Sequence, residues 1–152
     1  KKTRMTEKLA NTLALKSTEI FCSYMKDINK NFYLTSNKRF KKNSINVWLP
    51  SVILSNEKSF KKNWNSTSDS VAAWLSKNIK ADGLVFVKSL KKFKRINKLS
   101  ILQKKNIIDK NTSTYLKSFR GEIKITGLDI LKILEKNNNW DSCIEDFGDV
   151  VI

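Results

Sequence analysis

The 152-residue chain contains no histidine, one proline and four glycines. Without histidine, zinc sites and histidine-based triads lose their usual parts. Two cysteines, Cys22 and Cys143, lie far apart and show no metal-ligand spacing, so no metal site is expected and a reduced cytoplasm is the expected compartment. No apolar run approaches the roughly 18 residues of a membrane span. No basic-then-apolar leader opens the chain either, so neither a membrane role nor secretion is expected. The glycines, Gly83, Gly121, Gly127 and Gly148, are nowhere clustered, which leaves no glycine-rich phosphate loop in the sequence.

What is present suffices for a folded domain, since 40% of the residues are hydrophobic. The net charge is +16. A basic balance with interleaved aromatics would point to nucleic acid. Here the lysines are spread among abundant Asn, Ile and Ser, the residues that AT-rich codons supply. Arginine-bearing basic clusters occur at 38–42 and 91–95. Compositional bias is therefore the better account of the charge, and a nucleic-acid partner is not expected. Asp141, Glu145, Asp146 and Asp149 reverse the sign at the end of the chain. That reversal divides it into a body over 1–136 and an acidic tail over 137–152.

Met5, Leu9 and Leu13, then Ile20, Tyr24 and Ile28, recur at helical spacing and predict an amphipathic helix over 4–28. "INVWLP" reads as a strand at 45–49 ended by Pro50, and 51–65 as a long irregular segment. Ser66 with Asp69 three residues on is an acidic variant of the capping box and predicts a helix over 67–79. Val71, Leu75 and Ile79 mark its expected buried stripe. The unbroken apolar "LVFV" suits a strand buried on both faces of a parallel sheet, placed at 84–88. Short helical pieces in "ILQKKNIID" and "STYLKSF", a strand at 122–127 and a helix over "LDILKILEKN" complete an alternating pattern. Such alternation means α/β architecture.

The strand at 45–49, the helix and the strand at 84–88 form an expected βαβ unit. It would bring Pro50 and Ser51, the helix start at Ser66 to Asp69, and Lys88 with Ser89 to one sheet edge. Ligands of open α/β sheets bind beyond the carboxyl ends of the strands, and helix N-termini attract anions. A phosphorylated ligand fits that combination. Each feature also has a plain structural reading: a cap at Ser66 to Asp69, a solvated Lys88, and core or loop anchors at Trp64 and Trp74.

"WNSTSDSVAAWLSKNIKADGLVFVKSL" resembles the amino acid kinase family, which includes the aspartate, acetylglutamate and uridylate kinases. In that family an Asn/Asp-x-Thr-(Ser/Thr/Ala)-Asp-x-x-Ala tract opens a helix, and the next strand ends in the nucleotide-binding loop. "VWLPS" and "NIID" look like its small-molecule branch, similar to the aminomethylfuran phosphate kinases. The resemblance covers 45–90 well and the flanking regions loosely. It implies a three-layer αβα sandwich with a mainly parallel sheet and an ATP-dependent phosphotransferase using Mg²⁺. Asn65, Ser66, Thr67 and Ser68 would line the acceptor side. Asp69 would organise the phosphate-neutralising lysines, and Lys88 and Ser89 would begin the ATP-binding loop.

The sequence departs from the family pattern where "VKSLKKF" replaces the usual aspartate and glycine after the nucleotide strand. The clustered glycine turns of the family's N-terminal half have no counterpart, and the first residue is Lys1 rather than Met. These departures set the expectation of a C-terminal, nucleotide-side half whose N-terminal half is missing. Such a half would be inactive alone and prone to self-association. The competing expectation is a non-catalytic small-molecule or nucleotide-binding module of the same fold. A basic nucleic-acid-binding protein comes third.

Overall fold

The computed structural model describes residues 5–137 and 139–152. The chain forms two compact units, 1–67 and 68–152. The boundary falls inside "STSD", where a helix starts at Ser68.

The first unit opens with α1, Glu7–Ile28, capped by Thr6, whose side chain accepts from the Leu9 N–H at 3.2 Å. It buries Asn11 and Leu15. The stripe from Leu9 to Ile28 that its periodicity announced lies instead in the open, 45 to 74% exposed. Strands β1, Phe32–Thr35, and β2, Ile45–Trp48, pair in parallel, with Phe32 opposite Ile45 and Thr35 opposite Trp48. The loop joining them is short for a parallel connection. It is pinned by Asn37, which accepts from the Arg39 N–H at 2.7 Å, and by Asn46, which bonds to Lys41 and Ser44. Such side chains mimic backbone turns and let a loop close without a helix.

The segment expected to be irregular begins as a helix, α2, Ser51–Asn56. The Glu19 carboxylate accepts both the Ser51 N–H, at 2.7 Å, and the Ser51 hydroxyl, at 2.8 Å. A distant carboxylate thus stabilises the helix start, a device that local sequence does not reveal.

The second unit contains α3, Ser68–Ile79; β3, Gly83–Val87; β4, Ile96–Lys98; α4, Leu99–Lys104; and α5, Thr112–Leu116. It continues with β5, Glu122–Thr126; α6, Ile130–Lys136; α7, Trp140–Glu145; and β6, Gly148–Val151. The four strands order as β3-β5-β6-β4. The β3–β5 and β4–β6 pairs are parallel, and β5–β6 is antiparallel. The chain is therefore α/β with open, mixed and mainly parallel sheets.

Three expectations change. β2 and β3 belong to different sheets, so the expected βαβ unit is not one sheet; the parallel partner of β3 is β5. Residues 137–152, set apart by charge, supply α7 and the interior strand β6. Their acidity has a cross-strand use, since Asp149 accepts from the Lys124 ammonium at 2.6 Å. The most buried face of α3 carries Ser70, Ala73, Trp74 and Ser76, while Val71, Leu75 and Ile79 are half-buried. Small residues let the helix approach closely enough for the Trp74 ring to be enclosed.

Candidate functional site

The carboxyl ends of β3 and β5 converge on one polar cluster within the second unit. Lys88 follows β3, and its N–H donates to the Thr126 carbonyl at 3.0 Å, extending the ladder by one residue. Side chains alternate along a strand, so Lys88 continues the face that carries Leu84 and Phe86. Beyond it, the Leu128 N–H donates to the Leu90 carbonyl at 2.8 Å. The two post-strand loops run so close that a Cβ on Gly127 would stand 2.2 Å from the Leu90 oxygen. Only glycine fits there.

Asp69 lies in the first turn of α3 and meets Lys88. The Lys88 ammonium donates to both Asp69 oxygens at 2.8 Å. Asp69 Oδ2 also accepts the Asp109 N–H at 3.2 Å. Asp109, between α4 and α5, returns its own carboxylate to the Ser70 N–H at 3.1 Å. Two carboxylates thus serve the start of α3, where the helix dipole favours negative charge. Gln103 steadies the Asp109 loop, donating to the Asp109 and Lys110 carbonyls at 2.8 Å each. Below it, the Ser70 and Thr112 hydroxyls lie 3.3 Å apart, both fully buried.

Burial pushes the Asp69 carboxyl above its ordinary value. The Lys88 hydrogen bond and charge and the Asp109 N–H pull it back, and the Asp109 carboxylate adds to the rise. The exposures of the pair differ, with 9% of the Asp69 side chain open against 20% for Lys88. An incoming anion would therefore meet the ammonium first, with the carboxylate behind it. The Asp69 carboxylate holds the Lys88 ammonium in a fixed place at the sheet edge.

The structure distributes the sequence candidates unevenly. Asp69 and Lys88 come together. Ser68, one helical residue before Asp69, is exposed, and so is Ser89. Asn65, Ser66 and Thr67 belong to the first unit. Asn65 is exposed and Thr67 half-buried. Ser66 is fully buried; its N–H donates to the Asn63 carbonyl at 3.0 Å and its carbonyl accepts from the Asn11 amide at 2.9 Å. Trp74 is enclosed, as the plain reading has it, whereas Trp64 is 57% exposed. Asp109, Ser70, Thr112 and Gln103 carried no expected role. The one available signal was the aspartate ending "NIID", forty residues from its partner.

Among the described residues, no group of three or more His, Cys, Asp or Glu side chains could hold a metal ion. Mg²⁺ commonly binds through one or two carboxylates plus substrate phosphates; both Asp69 oxygens are taken by the Lys88 ammonium, so Asp109 is the carboxylate of this cluster that such an ion would use. Further along the chain from Lys88, Leu90, Phe93, Ile96, Asn97, Ile101 and Lys105 line a groove of ≈ 450 Å³. Residues 88–108 contribute eight lysine and arginine side chains and no acid. Among the described residues, no helix is long and apolar enough to cross a membrane. No protein-family model matches the chain, and neither does any curated protein.

Proposed function

We propose that the chain is the nucleotide-side half of an ATP-dependent small-molecule kinase of the amino acid kinase type, built as an αβα sandwich. The observation that carries this reading is the Asp69–Lys88 pair at the carboxyl edge of parallel β3 and β5, backed by the start of α3. Phosphoryl transfer needs positioning and charge neutralisation more than covalent chemistry from the protein. An acceptor oxygen forms a bond to the γ-phosphorus while the bond to the bridging oxygen breaks. The departing electron pair stays on the β-phosphate of ADP. Lys88 offsets negative charge on the phosphoryl oxygens. Asp69 fixes the Lys88 ammonium and takes no proton itself. Mg²⁺, arriving with the nucleotide, would neutralise phosphate charge near Asp109. The acidless basic segment and its groove suit the rest of a nucleotide. In this reading Ser68 would touch the acceptor and Ser89 the nucleotide; both are exposed, as that requires. The phosphate-cradling glycine turns would come from a segment outside these residues.

A non-catalytic nucleotide-binding module is favoured by one observation. The four glycines are dispersed, and "SLKKF" stands where a phosphate turn would be.

The test uses the intact enzyme carrying this half. Asp69→Asn should lower turnover by about two orders of magnitude, the scale of losing one electrostatic stabiliser. ATP binding should change much less. Unchanged turnover would remove the kinase reading. For residues 1–152 alone we expect ATP to raise the melting temperature without turnover, and Lys88→Met to abolish that rise. ATP binding to 1–152 without any Asp69 effect in the intact enzyme would favour the module.

A further inference from the structure

Helix α1 buries one face and leaves an apolar face in the open. Asn11 and Leu15 are buried within the first unit. About half a turn round lies a second face: Leu9 49%, Leu13 45%, Ile20 74%, Tyr24 60% and Ile28 68% exposed, with Met5, just before the helix, at 58%. An unpartnered stripe about 33 Å long on a 22-residue helix is unusual for the surface of a soluble unit.

The spacing of that stripe says what would cover it. Phe21, 60% exposed, stands at the edge of the stripe with its ring against Tyr24; along the other six, Met5, Leu9, Leu13, Ile20, Tyr24 and Ile28, successive gaps run four, four, seven, four, four. The pattern reads the same in both directions about a point between Lys16 and Ser17. An antiparallel copy of the same helix therefore sets Leu13 against Ile20, Leu9 against Tyr24 and Met5 against Ile28, each pair twice. This is the self-complementarity that a two-fold interface demands. It also opposes the two helix dipoles. A parallel pair would instead set every charge against its own copy. At roughly 100 Å² from each of six side chains, two copies would remove about 1,200 Å² from water, above the roughly 1,000 Å² of a specific interface.

We propose that α1 is a homodimerisation helix, pairing antiparallel with α1 of a second copy of this chain. Two features hold the pair to modest affinity. Lys16 lies one-half residue spacing from the two-fold, so the two ammonium groups face each other. Each copy also carries +16. The dimer should therefore tighten as salt rises, opposite to a complex held by charge.

Sedimentation of the full chain at low and high salt tests this. We expect a monomer–dimer equilibrium that shifts several-fold toward dimer in high salt. Ile20→Lys should weaken it at least about tenfold, and Lys16→Gln should strengthen it. Both side chains are exposed, and circular dichroism will show that the fold persists. Helix direction is read by oxidative cross-linking. A mixture of Leu13→Cys and Ile20→Cys chains should form a 13–20 disulfide that neither variant forms alone. The native Cys22 is half-buried on the same side of α1 as Asn11 and Leu15, away from the stripe, and so cannot link across the pair. A monomer at high micromolar concentration overturns the proposal and leaves the stripe for another segment or protein. A dimer indifferent to Ile20→Lys, or Leu13→Cys linking to itself, overturns it equally.

Discussion

The two units divide the buried apolar residues unequally. Among the described residues, Leu15, Leu54 and Phe60 are the enclosed hydrophobic side chains of the first unit, whereas the second encloses fourteen, from Ala73 to Val150. The first unit has a two-stranded sheet and the second a four-stranded one. Hydrophobic burial must offset a conformational entropy of about 1–2 kcal/mol per ordered backbone residue. Three enclosed side chains do little of that work for 67 residues. Polar devices carry more of it there, such as Glu19 on Ser51 and Asn46 across its loop, and an apolar helix face is left uncovered. The second unit is held by packing, and it can keep an ionised pair half out of water. A functional site of fixed geometry belongs with the rigid unit.

The largest test of this contrast lies in the second core. Leu116 is fully enclosed, and Leu116→Ala should cost about 2–5 kcal/mol in denaturant unfolding. Hydrogen exchange should show the loss in β3 and β5. A cost below that range would mean that the core is loose and the contrast overstated. Next comes Gly127→Ala, whose methyl group collides with the Leu90 backbone. We expect about 1–3 kcal/mol of destabilisation, the usual size of overpacking. The Lys88 loop should shift with it, which weakened ATP protection would report.

In the first unit the expected effects are smaller. Glu19→Ala removes both hydrogen bonds to Ser51 and should cost about 1–3 kcal/mol, because a charged acceptor is lost. Faster exchange confined to α2 would show that the anchor is local. Leu13→Ser, on the exposed stripe, should change monomer stability by less than about 0.5 kcal/mol. A larger effect would place Leu13 in a core and erase the distinction between the helix faces.

The charge on Asp69 gives the finest test. Its folded pKa lies above the unfolded value, so the folded state holds the proton more tightly. The stability this contributes is fully present below the unfolded pKa of about 3.9 and is lost as pH rises through the folded pKa. Asp69→Asn is neutral throughout. Relative to wild type, it should gain stability between acid and neutral pH, as read by chemical denaturation across that interval. A gap moving the other way would mean that Lys88 outweighs burial.

Much of the secondary structure was legible because periodicity reports burial directly. The helix expected at 67–79 is Ser68–Ile79, the strand at 84–88 is Gly83–Val87, and the strand at 122–127 is Glu122–Thr126. β1, β4, α2, α7 and β6 were not legible. They are short, and some are fixed by distant groups, as α2 is by Glu19. Of the polar cluster, Asp69 and Lys88 were singled out by a helix start and a strand end, while Asp109 became visible only in three dimensions.

The sequence by itself determined the α/β alternation, the positions of Asp69 and Lys88 at element ends, and the two-way spacing of the α1 stripe. These are local patterns, set by which residues recur every two or every three to four positions. Tertiary structure alone decided that β3 pairs with β5, that the acidic end becomes an interior strand, and that Asp109 closes on Asp69. It also decided that the α1 stripe faces outward. Each of these depends on contacts between residues tens of positions apart, and local periodicity can say that a face is apolar but never what will lie against it.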